Sequence, residues 1–327
     1  MRPFVILGLV TLVAAACEDT TSPTPSGAPG SGGRIAANRV LDGNQGFDFT
    51  TIDAPGAQFI LGHAVNSSGA IVGWFFSSGG QHGFLLSNGT LTQIDFNSDP
   101  NVNSMAAGIN DAGDIVGDYS GTDERRHSYL LREGTYTTFD VSGARHSTAL
   151  AINSNGDIVG IFSNNSGAHG FLANASNLAS FTTIDFPGAL NTTAAGINDA
   201  GDIVGVYLNT SDEIHGFLLS GGRFTSLDVP GALATQALSI NNVGQIVGGD
   251  VRGGIRSLTE PGFPAPLAER HGFLLSGGLF IPVNISGVGG GINTRVFGIN
   301  STGVIVGQYD GTDGVTHAFV GTPRIVP

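Results

Sequence analysis

The chain predicts an all-β fold, a six-bladed β-propeller of four-stranded antiparallel blades, and three observations carry that prediction. An Asn-x-x-Gly step followed by an Ile-Val-Gly-like triplet recurs at Asn66, Asn110, Asn153, Asn198, Asn241 and Asn300, spaced by 44, 43, 45, 43 and 59 residues. A period in the low forties carrying about four short strand signals is the mark of one propeller blade. No helical pattern of apolar residues follows residue 34. Finally, Phe49-Thr50-Thr51-Ile52-Asp53 matches Phe181-Thr182-Thr183-Ile184-Asp185 and precedes the first repeat, whereas the sixth repeat stops after His317-Ala318-Phe319-Val320 without such a strand. An N-terminal strand that completes the last blade closes a ring and leaves no open sheet edge to invite aggregation.

Taken in order, residues 1–16 read as an export signal. Arg2 supplies the positive end, Phe4 to Val13 an apolar run too short to span a bilayer, and Ala14-Ala15-Ala16 the small residues before a cut. With Cys17 next, the segment resembles a bacterial lipoprotein signal, which implies lipidation of Cys17; Ala14 stands where that family usually has Leu. Residues 17–46 read as a flexible tether, because Glu18 to Gly33 is rich in Ser, Thr, Pro and Gly. Residues 47–327 then form the propeller. Within one repeat, Ala195 to Asn198 is a first strand, Asp199 to Asp202 a turn, Ile203 to Tyr207 a second strand and Asn209 to Ile214 a variable loop. His215 to Leu219 is the third strand and Phe224 to Asp228 the fourth, ended by Val229-Pro230-Gly231.

Composition excludes several function classes. The 327 residues include 13 basic ones, all Arg, against 26 acidic, for a net charge of -13. Binding to nucleic acid is therefore disfavoured, and lysine chemistry is absent. A hydrophobic content of 40% excludes wholesale disorder, and the 52 glycines fall at fixed places in each repeat, where they mark turns. Cys17 is the only cysteine, so no internal disulfide forms.

The tripeptide His317-Ala318-Phe319 returns as His82-Gly83-Phe84, His169-Gly170-Phe171, His215-Gly216-Phe217 and His271-Gly272-Phe273, and more loosely as His127-Ser128-Tyr129. Over residues 49 to 320 the chain resembles the extracellular HAF repeat family, which implies an exported bacterial repeat protein and brings no catalytic residues with it. The six histidines, His82, His127, His169, His215, His271 and His317, open the third strand, away from the axis on which a metal ring would need them to converge. Each is read as a structural hydrogen bond from imidazole to backbone, repeated with the unit. Asn110-Asp111-Ala112-Gly113-Asp114 and its equivalent at Asn198 resemble calcium loops, but the matching turns at Asn66, Asn241 and Asn300 carry no acid. They are hairpin turns in which Asn caps the backbone. The recurring Phe75, Tyr119, Phe162, Tyr207 and Tyr309 are read as packing between blades. No metal and no cofactor are expected.

Residues required by a scaffold recur, whereas residues serving a ligand need not, so function is expected where the repeat breaks. The long segment Asp250 to Arg270 holds Arg252, Arg256, Glu260 and Arg270; the second repeat adds Asp123, Glu124, Arg125 and Arg126, and the next connection Arg145 and His146. These loops belong to one rim, where Arg can pair with anionic groups, and Arg252 and Arg256 are expected to serve binding without serving stability. The reading is a monomeric, membrane-anchored binding module of the bacterial cell envelope, on the periplasmic side or the cell surface, for a polysaccharide, peptide or protein. The alternative is a propeller hydrolase or lyase acting on an extracellular polymer. No nucleophile elbow and no His-Glu-x-x-His helix is present.

Overall fold

Runs of β-branched and aromatic residues between glycine turns make strands, and strands are nearly all of the regular structure. The computed structural model describes residues 46–252, 269–285 and 293–324, together with the backbone of 39–41. Among them the one departure from β-structure is a 3-10 turn at Phe96–Ser98. Strands β1 (Arg39–Leu41) and β2 (Phe47–Ile52) come first. The first repeat is β3 (Phe59–Val65), β4 (Ile71–Ser77), β5 (Gly80–Ser87) and β6 (Thr90–Ile94), and the second is β7 (Ser104–Ile109), β8 (Ile115–Ser120), β9 (Arg126–Arg132) and β10 (Thr135–Phe139). The third is β11 (His146–Ile152), β12 (Asp157–Ser163), β13 (Ala168–Asn174) and β14 (Asn177–Ile184); the fourth is β15 (Asn191–Ile197), β16 (Ile203–Leu208), β17 (Ile214–Ser220) and β18 (Arg223–Leu227). The fifth is β19 (Ala234–Ile240), β20 (Ile246–Arg252), β21 (Glu269–Ser276) and β22 (Leu279–Val283), and the chain ends with β23 (Arg295–Ile299), β24 (Ile305–Asp310) and β25 (Thr316–Pro323).

Each repeat is a four-stranded antiparallel sheet paired in chain order. The last three strands find their fourth at the other end of the chain: β2 pairs antiparallel with β25, from Phe47 opposite Pro323 to Ile52 opposite Ala318. Strand β1 adds to β2, so Arg39–Leu41 is a strand where the composition predicts part of a flexible tether. The pairing with β2 supplies the backbone partners that a tether lacks.

The Ile-Val-Gly triplet has a steric cause. A Cβ on Gly205 would lie 2.0 Å from the Thr193 carbonyl oxygen and 2.7 Å from the Phe217 ring. Only glycine lets the innermost strand and the aromatic ring of the third strand close on the second. The same collision recurs at Gly73, Gly117, Gly160, Gly248 and Gly307, which ties the glycine of one motif to the aromatic residue of the other. Those rings, Phe84, Tyr129, Phe171, Phe217, Phe273 and Phe319, are all at most 1% exposed.

The repeated asparagines do two things. Oδ1 of Asn198 accepts the Asp202 N–H at 2.9 Å, closing a turn whose Gly201 sits at φ 83. Its Nδ2 donates to the Asn241 carbonyl of the next repeat at 3.4 Å. The same bond runs from Asn66 to Asn110 (3.1 Å), Asn110 to Asn153 (3.3 Å), Asn153 to Asn198 (3.0 Å), Asn241 to Asn300 (3.0 Å) and Asn300 back to Asn66 (2.9 Å). This closed cycle lies at one end of the axis.

Candidate functional site

One residue in each innermost strand escapes the ladder. The register of β3 against β4 skips between Gly62 and Ala64, and equivalent skips fall between Ala106 and Gly108, Ala149 and Ala151, Ala194 and Gly196, Ala237 and Ser239, and Val296 and Gly298. A bulge of this kind re-aims the extra side chain. The skipped residues are His63, Ala107, Leu150, Ala195, Leu238 and Phe297; all but Ala107 line one cavity of about 960 Å³. That volume is at the upper end of the range typical of small-molecule sites. Opposite the asparagine cycle, the cavity reaches strand ends that include Ser120, Arg126, His146, Ser163 and Thr316.

The wall is unequal around the axis. On one side, Phe59 stacks on Trp74 with centroids 4.8 Å apart at 24°, Phe76 meets Trp74 edge-on at 5.8 Å, and His63 stacks on Phe297 at 5.6 Å and 27°. Facing them from the third and fourth repeats are Leu150, Ile161, Ala168, Ala195 and Val206. His63 Nδ1 donates to the Ala107 carbonyl oxygen at 2.7 Å, which fixes the tautomer and leaves Nε2 as an acceptor in a cavity that the residue lines. Burial outweighs that hydrogen bond and lowers the His63 pKa to about 4.

A depressed imidazole pKa makes stability that is fully present above the unfolded value near 6.5 and is lost as pH falls toward the folded value. The gap from 6.5 to about 4 corresponds to roughly 3 kcal/mol as an upper bound, because His63 is only partly buried and its ring lines a cavity open at one end. Denaturant unfolding at pH 7 and pH 4 should therefore show the native protein losing more than His63→Phe, by up to about 3 kcal/mol. Equal losses would mean that the ring is charged or solvated. His127 and His317 act in the opposite sense. Burial lowers their pKa values, but hydrogen bonds to Asp140 and Asp123, and to Asp53 and Asp313, raise them further than burial lowers them. Their contribution is present below the unfolded value and fades as pH rises through the raised one. The comparison with His63→Phe cancels it.

Toward the strand ends opposite the asparagine cycle, the cavity is lined by Glu124, Arg125, Arg126 and His146, and by Asp310. His146 Nδ1 accepts the Arg126 backbone N–H at 3.2 Å, so the neutral ring carries its proton on Nε2. Burial first, then the charges of Arg145, Arg125 and Arg126, lower its pKa against a weaker opposing effect of Asp123. The surroundings of His146 are thus cationic on a chain whose net charge is -13. Arg295, 2% exposed, is a separate buried cation of the last repeat, within reach of Arg270 and Asp310. Burial and then Arg270 bring its pKa down to about 10, which still leaves it a cation at neutral pH.

Of the residues expected to bind a ligand, Arg125, Arg126 and His146 meet at the cavity, whereas Arg145, Arg252 and Arg270 do not line it. Arg256, Glu260 and the lipidation candidate Cys17 lie outside the described residues. Two expectations need correction. Arg252 grips both oxygens of Asp250, which is 2% exposed, at 2.7 and 3.3 Å. Removing it would strand a buried carboxylate, so it serves stability. Arg126 likewise pairs with the wholly buried Asp118.

The repeated histidines do not bond to backbone. His82 donates from Nδ1 to Asp95 (2.9 Å), His127 to Asp140 (2.6 Å), His169 to Asp185 (2.9 Å), His215 to Asp228 (2.7 Å) and His317 to Asp53 (2.6 Å), with Asn284 replacing the acid for His271 (3.3 Å). Antiparallel pairing of the third and fourth strands brings the two side chains together, and a carboxylate is the stronger acceptor. The ring also lies against the second-strand aromatic of its own sheet in five repeats, as with Tyr207 and His215 at 5.1 Å. Contact between repeats occurs as well, in Phe96 on Tyr119 (3.6 Å) and Phe186 on Tyr207 (3.7 Å). Among the described residues, no group of three or more His, Cys, Asp or Glu is placed to hold a metal ion.

Sequence reasoning missed His63, Phe59, Trp74 and Phe297, while Glu124 lies in the loop it singled out. A signal was available: His63 and Phe297 stand three residues before repeated asparagines where the other repeats have Ala or Leu, and Trp74 is the only tryptophan.

No family model matches the chain, and no curated protein matches it. Solved structures do. The gluconolactonase XC5397 from Xanthomonas campestris aligns over 90% of this chain and 98% of its own at 11% identity, with a TM-score of 0.51. A variant of Aleuria aurantia lectin in complex with Fucα1-6GlcNAc aligns over 83% and 99% at 10% identity, with a TM-score of 0.47. At such identities the likeness concerns the fold, which is propeller-like.

Proposed function

We propose that the chain is a six-bladed propeller closed by its N-terminal strand, serving as an exported, lipid-anchored binding module whose ligand enters the axial cavity. The cycle of asparagine bonds and the β2 to β25 pairing support the closed ring. The run Ala14 to Cys17 and the likeness to the HAF repeat support the anchor and a place in the bacterial cell envelope. The observation that carries the function is a mostly apolar chamber of about 960 Å³ with arginines at its mouth. A chamber open at one end and walled by Phe59, Trp74, Met105, Leu150 and Phe297 suits a small amphipathic anion, with its apolar body inside and its charge beside Arg125 and His146. A hydrolase that works through a serine or cysteine needs that nucleophile beside its base, and among the described residues no hydroxyl or thiol is hydrogen-bonded to His63, whose bond is to the Ala107 carbonyl.

Trp74 makes the test direct, because the only tryptophan of the chain lines the chamber. Amphipathic carboxylates should change its emission saturably, and Arg125→Ala should weaken binding by roughly fivefold to tenfold at unchanged thermal stability. If neutral and anionic amphiphiles bind alike, or none alters Trp74, the reading fails.

A further inference from the structure

The two ends of the cavity ask for different chemical groups, and its wall asks for a shape. We infer that the chamber takes a planar aromatic acid that carries a hydroxyl or N–H donor at the end opposite its carboxylate; this rests on the axial-cavity reading above. The shape comes from the wall: Phe59 lies on Trp74, and His63 on Phe297, in near-parallel pairs, while the facing side is built from short aliphatic residues such as Ala168, Ala195 and Val206. A flat ring laid against the aromatic half continues the stacking, whereas a branched aliphatic body would not.

The inner group comes from His63. Its Nδ1 proton is committed to the Ala107 carbonyl, so the nitrogen left for a ligand is an acceptor. It stands in a ring of bulged residues that is otherwise Ala, Leu and Phe. An acceptor in apolar surroundings favours a ligand that brings a donor and penalises one that brings only carbon. The outer group comes from Arg125 and from His146, whose own proton is on Nε2 because Nδ1 accepts the Arg126 amide. His63 stands three residues before its repeated asparagine and His146 seven before its own. Four residues of strand separate the two levels by about 13 Å, close to the length of a single ring with a short acidic side chain.

Isothermal titration of the full folded domain with para-hydroxycinnamate and with cinnamate compares two acids that differ only in the donor. The hydroxylated acid should bind about tenfold more tightly, and His63→Phe should reduce that preference to less than twofold while cinnamate binding persists, with both acids quenching Trp74. Equal affinities in the native protein overturn the donor assignment but leave the cavity reading standing. A preference that survives in folded His63→Phe overturns the role of His63. If neither acid binds while a straight-chain fatty acid quenches Trp74, the aromatic class is wrong and the chamber is still the site. If nothing quenches Trp74, both fail.

Discussion

Removing residues 1–53 should destroy the soluble monomer, whereas removing 1–45 should leave it folded and close to native in melting temperature. The difference is β2. Its Phe47, Phe49 and Ile52 are 6%, 1% and 1% exposed, and Phe49 meets Phe319 edge-on at 5.5 Å. Three such side chains are worth roughly 5–9 kcal/mol of burial, about as much as the whole stability of many domains. The longer deletion also breaks the Thr51 to Tyr309 and Asp53 to His317 hydrogen bonds, at 2.8 and 2.6 Å. It exposes the backbone edge of β25, which then offers a template for association. Size-exclusion chromatography and thermal unfolding of the two truncations decide the matter. If both elute as monomers with the same melting temperature, the N-terminal strand does not close the structure.

Arg126→Ala should cost about 3 kcal/mol in denaturant unfolding, because it leaves Asp118 charged, buried and without its cation. Asp118 is 0% exposed, and its Oδ1 has no hydrogen-bond partner among the described residues. Coulombic attraction to that carboxylate is the largest influence on Arg126 and raises its pKa. The guanidinium side chain is 38% exposed, so water partly screens the pair, and the loss belongs at the lower end of what a fully buried pair would show. Asp118→Ala combined with Arg126→Ala should recover most of the loss, since neither charge is then stranded. Arg125→Ala, by contrast, should stay within about 0.5 kcal/mol of native stability, because its contact with Asp123 is 3.7 Å long and both side chains are about half exposed. A double variant no more stable than Arg126→Ala would show that the pair is not what fixes the rim.

Strand order and turns were legible because their causes are local: alternating apolar residues, the Asn-x-x-Gly step and the glycine at positive φ act within a few residues and recur six times along the chain. Part of the site was legible for the converse reason. Arg125, Arg126 and His146 break the repeat, and a broken repeat shows in one sequence. Whether an arginine faces a ligand or a buried acid was not legible. Arg126 and Arg252 are spent largely on Asp118 and Asp250, acids that are buried only once the second strand of each sheet is packed. The chamber was not legible either. His63, Leu150 and Phe297 come from repeats far apart in the chain and read as ordinary core residues. The bulge in each innermost strand turns them toward a common axis, and only the closing of the sheets around that axis makes it a cavity. Local patterns therefore specify the elements, their order and the loops that depart from the repeat, whereas the convergence of side chains depends on distances between sheets that no local pattern encodes.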